Sequence, residues 1–311
     1  MYESIQSRAV IGAIERAIGA VNGPGWVEPF SWLNGESDQA TEEYAWLGVP
    51  PVMRKWIGER RAKQLAAEGV LIANDDYEAT LEFHRRDLRR DKFGMMLQRV
   101  AQMAQRTGAH WAKLLTPLLT NGAASLATYG ARSTYDGVNF FGNGHRGAQD
   151  NDIGASMAGA TPTVAEVEDG LRQVFEALAS FLDEEDEPAN EDMTSLVIVH
   201  PAAMSGRISA AMQQYIQGSG GTRQSVLPNL ISWSHWANPR LDTSSTTTCY
   251  VARADAPMKA LIRQEEEGVM VGSTATGSEE EFKQNRHLYG VQASRGVGYG
   301  LWEYACRLTF S

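Results

Sequence analysis

Cysteine is nearly missing from this sequence: Cys249 and Cys306 are the only two among 311 residues. Two distant cysteines exclude a disulfide framework and offer no paired metal ligands, and they suit synthesis in a reducing cytoplasm. Long apolar runs are missing too. No stretch approaches the roughly 20 residues that a membrane span needs. The opening "MYESIQSRAVIGAIERAIGA" lacks the basic start, apolar run and cleavage site of a signal peptide. Basic charge is also in short supply. Lys and Arg number 28 against 38 for Asp and Glu, a formal net charge of −10, whereas a dedicated nucleic-acid binder carries a basic excess.

Signatures of chemistry are sparse. The six histidines recur at no fixed spacing, so no helix-borne metal pair is present. No serine sits in a G-x-S-x-G elbow, and neither cysteine neighbours a histidine in the chain. The clusters "GNG", "GSGG" and "GVGYG" miss the pattern of a phosphate-binding loop. Asp183–Glu187, "DEEDE", lacks the alternating ligands and central glycine of a calcium loop, and reads as a solvated turn.

One stretch keeps a chemical reading open. "TYDGVNFFGNGHR", Thr134 to Arg146, sets Asp136 and His145 on a glycine-rich loop. A metal-dependent hydrolase would use these two with His110 or His200. The packing alternative is a turn at Asp136-Gly137, followed by Phe140 and Phe141 pointing to opposite faces of an extended segment. Asp136 then accepts backbone N–H groups and His145 pairs locally. This second reading is preferred: it makes no residue catalytic and holds no metal or cofactor.

What the chain has in quantity is hydrophobic residues, 43%, and 30 glycines, enough for a large core with many turns and sheets. Residues 1–50 alternate short apolar segments with the breakers "NGPGW", "LNGESDQ" and "LGVPP", the pattern of an extended arm lying on something else. Between Arg54 and Lys92 the chain is densely charged. There Tyr77, Ala79, Leu81 and Phe83 alternate with Glu78, Thr80, Glu82 and His84, which is strand periodicity. The turns "AEG" and "ANDD" complete a β-hairpin with too few apolar residues to fold alone.

Leu97, Val100, Ala104, Thr107, Trp111, Leu114 and Leu118 recur at three and four. They predict one long helix, kinked or stopped near Pro117 and ended at Asn121-Gly122. "TVAE" at Thr163 is a capping box opening a second helix striped by Val164, Val167, Leu171, Val174, Leu178 and Phe181. "SLVIVH", "NLISWSHW", "TTTCYVARAD" and "EGVMVGS" predict strands, and "RHLYGVQASRGVGYGLWEYACRLTF" predicts long closing strands.

Three blocks together carry a family resemblance: "EYAWLGVPPVMRKWIGER" (Glu43–Arg60), "TYDGVNFFGNGHR" (Thr134–Arg146) and "HLYGVQASRGVGYGLWEYACR" (His287–Arg307). In this order they resemble the major head (capsid) proteins of Mu-like phages and prophages. The match falls on Tyr44 to Gly48, Pro51 to Gly58, Tyr135 to His145 and Tyr289 to Trp302. It departs at Gly144 and Arg146, where the family has an Asp and a Pro.

The resemblance implies an α+β chain with the Johnson fold of tailed-phage capsid proteins. Residues 1–57 would be the N-terminal arm and 58–86 the E-loop hairpin. Residues 87–159 and 276–311 would form the peripheral domain with its spine helix at 94–121, and 160–275 the axial domain. The E-loop would meet neighbouring subunits through Arg60, Arg61, Lys63, Arg85, Arg86 and Arg89. Asp136, Gly137, Phe140, Phe141 and His145 would shape a structural loop.

The implied function is self-assembly into the pentamers and hexamers of an icosahedral virion head, in the host cytoplasm. Its partners would be itself, a scaffold or maturation protease, the portal and decoration proteins. Packaged double-stranded DNA would be touched only weakly, and no membrane is involved. An encapsulin-like nanocompartment of the same fold is the alternative that only these blocks disfavour.

Overall fold

The computed structural model describes residues 2–21, 23–35, 37–44, 69–90, 94–124, 134–183, 185–213, 215–218, 221–275 and 277–311. The start is helical rather than extended: α1 spans Tyr2–Ala20. Val10 and Ile14 are buried on it, with Ile18 packed beside them. That four-residue spacing is a helical stripe, which the breakers further along obscure. A short α2 (Val27–Phe30) leads into β1 (Ser31–Asn34), and β2 (Thr41–Tyr44) pairs antiparallel with β3 (Val70–Ala73).

The alternation around Tyr77–His84 is a strand, β4 (Asp75–His84). Its ladder partner, however, is β12 (Arg286–Tyr299), far along the chain. The hairpin expected within 58–86 is therefore not β4's pairing among the described residues, and residues 58–68 lie outside them. Such a charged strand gains an apolar face only by joining a larger sheet. After α3 (Arg85–Arg90), the expected single helix is two: α4 (Met95–Gly108) and α5 (His110–Asn121), parted at Ala109.

Gly108 explains the break. A Cβ there would lie 2.3 Å from Val21 Cγ1, so the glycine admits Val21 at the cost of weak helix propensity. Pro117 sits inside α5 and the helix runs on to Asn121. The buried face is Val100, Met103, Ala104, Ala112, Leu115, Leu118 and Leu119, with Leu97 turned out.

Beyond β5 (Asp152–Ala155), α6 (Val164–Ser180) opens on the capping box expected. The Thr163 amide donates to Glu166 Oε2 at 2.7 Å and the Glu166 amide to Thr163 Oγ1 at 3.3 Å. β6 (Ser195–His200) leads through a 3-10 turn to α7 (Ser205–Ala211). The hairpin β7 (Tyr215–Gly218) and β8 (Gly221–Gln224) precedes α8 (Leu227–Leu230) and β9 (Ser232–Ala237). Then come β10 (Thr248–Arg253), β11 (Leu261–Thr274), α9 (Glu279–Gln284), β12 and β13 (Ala305–Phe310).

These strands build two main sheets, ordered β1-β11-β12-β4 and β5-β13-β10-β6-β9. The closing segment is thus divided: β12 belongs to the first sheet and β13 to the second. One continuous core joins both, taking Ile262, Val297 and Tyr299 from the first and Val197, Val251 and Leu308 from the second. A smaller core under α1 gathers Val100, Phe83 and Tyr289.

Two glycines let β3 cross β12 closely. A Cβ on Gly296 would lie 2.6 Å from Ala73 O, and one on Gly298 would lie 2.4 Å from Ile72 Cδ1. Gly296→Ala should cost about 1–3 kcal/mol by forcing that backbone apart. Gly272→Ala, with nothing within 4 Å, should be near neutral; denaturant unfolding of the two variants compares them.

Candidate functional site

The Thr134–Asn151 loop lies where the two sheets join. Gly137 takes φ +72°, and its amide donates to Thr134 O at 3.2 Å. This is the left-handed turn that an Asp-Gly pair supplies. Asp136 Oδ1 accepts from Thr134 Oγ1 at 2.7 Å and from the Val138 amide at 3.1 Å. Its Oδ2 lies 2.6 Å from His145 Nδ1. Burial would raise the Asp136 carboxyl, but the hydrogen bonds from His145, Thr134 and Val138 outweigh it and hold the group below the usual range.

His145 is locked on every side. Its Nε2 faces Phe140 O at 3.3 Å, and its ring stacks on Trp302 with centroids 4.0 Å apart and planes 7° apart. Both ring nitrogens are therefore occupied and one face is covered. An imidazole so held has no nitrogen free to ligate a metal or take a substrate proton.

Both phenylalanines turn inward, contrary to the opposite faces expected of an extended segment. The backbone here bends instead of running as a strand, which removes the two-residue alternation. Phe140 stacks on Tyr299 of β12 at 4.6 Å, Phe141 tilts against Tyr250 of β10 at 5.5 Å, and the two rings meet edge-on at 4.9 Å. One ring thus grips each sheet. The Phe141 amide is tied to Gly122 O at 2.9 Å, anchoring the loop to the end of α5.

Asn151 and Glu303 are partners of the loop that the sequence does not single out. Asn151 Nδ2 reaches Phe140 O, Trp302 O and Ala305 O at 2.8, 3.3 and 3.1 Å, and its Oδ1 accepts from the Gly142 amide at 2.9 Å. Trp302 and Glu303 sit in the 3-10 turn that carries the chain from β12 to β13. The Tyr135 hydroxyl donates to Glu303 Oε1, while Oε2 has no partner among the described residues. Burial pushes the Glu303 carboxyl up to about 7, against the Tyr135 hydrogen bond that lowers it.

The remaining candidates are scattered. His110 meets Tyr77 edge-on at 4.5 Å, and His200 faces His235 at 3.2 Å. Among the described residues, no group of three or more His, Cys, Asp or Glu is placed to hold a metal. Burial pushes the Cys249 thiol up to about 12 and Cys306 well up, so neither is an activated nucleophile. Arg85 Nε lies 3.2 Å from Glu281 Oε1 of its own chain, and the Arg86 amide meets His84 Nδ1 at 3.3 Å. Arg60, Arg61, Lys63 and the Arg89 side chain lie outside the description. No described helix is long and apolar enough to cross a membrane.

A model of the family described as Mu-like prophage major head subunit gpT matches residues 33–216 and 229–309. The chain belongs to that family. It is 30% identical over 109 residues to the major capsid protein of Escherichia phage Mu, covering 35% of this chain and 33% of that protein. It is 28% identical over 148 residues to the Mu-like prophage FluMu major head subunit of Haemophilus influenzae, covering 47% and 44%. These matches thus span less than half the length of either relative.

Among solved structures, the procapsid of bacteriophage JBD30 aligns with 97% of this chain and 74% of its own, with 22% identity and TM-score 0.54. The mature capsid of bacteriophage PhiM1 covers 94% and 88%, at 12% identity and TM-score 0.53. A virus-like particle from Pyrococcus furiosus covers 99% of both chains, at 8% identity and TM-score 0.53. The fold of this head-subunit family member is therefore the α+β Johnson fold of tailed-phage capsid proteins.

Two predictions follow from the loop. Removing either ring, Phe140→Ala or Phe141→Ala, should cost about 3–5 kcal/mol through the cavity left behind, measured by chemical denaturation. Glu303 binds its proton more tightly folded, at about 7, than its ordinary 4.5. Its contribution to stability is complete below about pH 4.5 and is lost as pH rises through about 7. Glu303→Gln should abolish that decline and be the more stable form at pH 8, by roughly 3 kcal/mol; melts between pH 4.5 and 8 check it.

Proposed function

We propose that this chain is the major structural subunit of a Mu-like phage head, assembling with copies of itself into a shell, and that it catalyses nothing. The family match over 33–216 and 229–309 carries this reading. The site supports it from the other side: the one carboxylate–imidazole pair of the resembling loop is spent on packing.

On this reading the first sheet with α4 and α5 is the peripheral domain, near 87–159 and 276–311. The second sheet with α6 and α7 is the axial domain, near 160–275, but β1, β4 and β11 of the first sheet and β5 and β13 of the second fall outside the bounds of their domain. The E-loop cations Arg60, Arg61, Lys63, Arg85, Arg86 and Arg89 would meet neighbours. A scaffold or maturation protease, the portal and decoration proteins would be further partners. The enclosed cargo would be double-stranded DNA. A net charge of −10 suits a wall against which DNA slides, because a basic lining would bind it through counterion release.

Surface features agree with a subunit made to be covered. Phe282, at the tip of the β11–β12 hairpin, is 92% exposed. Among the described residues β4 is an edge strand bearing Asp75, Asp76, Glu78 and Glu82, and a charged edge resists indiscriminate strand addition. Electron microscopy of the purified chain should show rings, tubes or shells. Raising salt from 0.1 M, where charges are screened beyond about 10 Å, should shift sedimentation toward smaller species. A chain that stays monomeric at all salt and protein concentrations would contradict the proposal.

A further inference from the structure

Between α4–α5 and the face of β4, β11 and β12 lies a cavity of about 890 Å3. Its walls are basic in a chain that is acidic overall. Arg99, Arg106, Lys113 and Arg240 line it and form no ion pair among the described residues. Glu78 is the one carboxylate in that lining. A further cation, Arg295, is held by Glu265 at 2.8 Å and stacks on Trp111 at 4.5 Å. Arg99, Arg106, His110 and Lys113 recur at helical spacing and form one stripe. His110 feels its field: burial first, then Arg295 and Lys113, push the imidazole down to about 4. The floor is apolar, with Leu81, Met103 and Val291. Such a groove fits an acidic segment that brings an apolar side chain.

The chain carries one with that makeup. The Leu182–Pro188 turn is closed by a bridge between its end residues and by the Asp183 amide donating to Glu187 O at 2.8 Å. Asp183 Oδ1 accepts from the Glu185 and Glu187 amides at 2.8 and 3.1 Å. Asp183, Glu185 and Glu187 are therefore held before any contact, which lowers the entropy cost of binding. The turn exposes Glu185 and Glu187 beside Leu182, which is 39% exposed, while Asp186 pairs with Arg146 of its own chain at 3.1 Å. Of the competing segments, residues 45–68 bear Arg54, Lys55, Arg60, Arg61 and Lys63 against Glu59 and Glu68, so a basic groove repels them. Glu279–Glu281 beside Phe282 are held by Lys283, Arg286 and Arg85 of their own chain.

We propose that the groove receives the Leu182–Pro188 turn of a second copy of this chain, an inference that rests on the head-subunit reading and names two surfaces through which copies meet. The turn follows α6 on the second sheet and the groove lies on the first, so each copy carries one of each. The contact is head-to-tail, the type that closes into rings when the rotation allows. Complementary charge sets its register and speeds encounter.

Charge exchange in the full chain tests it. Arg99→Glu with Arg106→Glu, and Glu185→Lys with Glu187→Lys, alter exposed side chains and should leave thermal melts native-like. Each pair alone should raise the concentration needed for assembly, read by sedimentation, roughly tenfold or more. All four together should return it to within about threefold of native. If either pair assembles like the native chain, or the exchanged chain melts normally yet fails to recover, the proposal falls while native shells uphold the head-subunit reading. A native chain that never assembles overturns both. A single-stranded oligonucleotide that binds the native chain but not the Arg99→Glu, Arg106→Glu variant, with assembly unchanged, would give the groove to nucleic acid and overturn the proposal.

Discussion

Two sheets that share one core must be joined through a seam where backbone leaves regular pairing, and the carbonyls freed there need partners. Asn151 is the group on which that seam depends. Its amide addresses carbonyls of Phe140, Trp302 and Ala305, from two segments far apart in sequence. A buried carbonyl left unsatisfied costs about 1–3 kcal/mol, so the Thr134–Asn151 loop is a condition of the join. The Phe140 and Phe141 rings add the apolar half, one against each sheet. Asp136 and His145 keep the loop in the shape that allows both. The residues that resemble a catalytic pair are occupied in holding two sheets together.

That constraint explains which parts were legible. The capping box at Thr163, the buried strand Ser195–His200 and the alternation through Tyr77–His84 are local signals, and each appears as a local element. α1 escaped because its stripe of Val10, Ile14 and Ile18 sits ahead of a run of glycine and proline breakers that dominates the first 50 residues. The break at Ala109 escaped because it comes from Val21 approaching Gly108, a contact between segments that no periodicity records. β4's partnership with β12 is likewise non-local.

At the site, the Asp-Gly turn and the local pairing of His145 follow from residue type. The inward turn of both rings does not, because the backbone bends there and sets them on Tyr299 and Tyr250 of the two sheets. Nor does the burial of Glu303, where the chain returns through Trp302–Tyr304 between the sheets. Glu303 is a carboxyl that local sequence marks as a surface residue. It is buried because the 3-10 turn is only three residues long and must cross the core. Tyr135 and Asn190 then satisfy one of its side-chain oxygens and its backbone oxygen.

Fold and function separate at this point. The Pyrococcus furiosus particle covers 99% of both chains at 8% identity, so the architecture is shared by chains with almost no common sequence. The specific content lies in residues laid over it: the blocks around Tyr135 and Tyr289, and the distribution of charge. A uniformly acidic subunit would repel its own copies, and a uniformly basic one would condense on any nucleic acid. Gathering Arg99, Arg106, Lys113 and Arg240, which form no ion pair among the described residues, in one groove of an acidic chain would let copies attract there and repel across acidic surface. Specificity obtained in this way needs the repulsive surface as much as the attractive one. It also needs many such contacts, since each exposed pair is worth only about 0–1 kcal/mol. Charge gathered in one groove per copy would therefore be of most use to a chain that meets itself many times over.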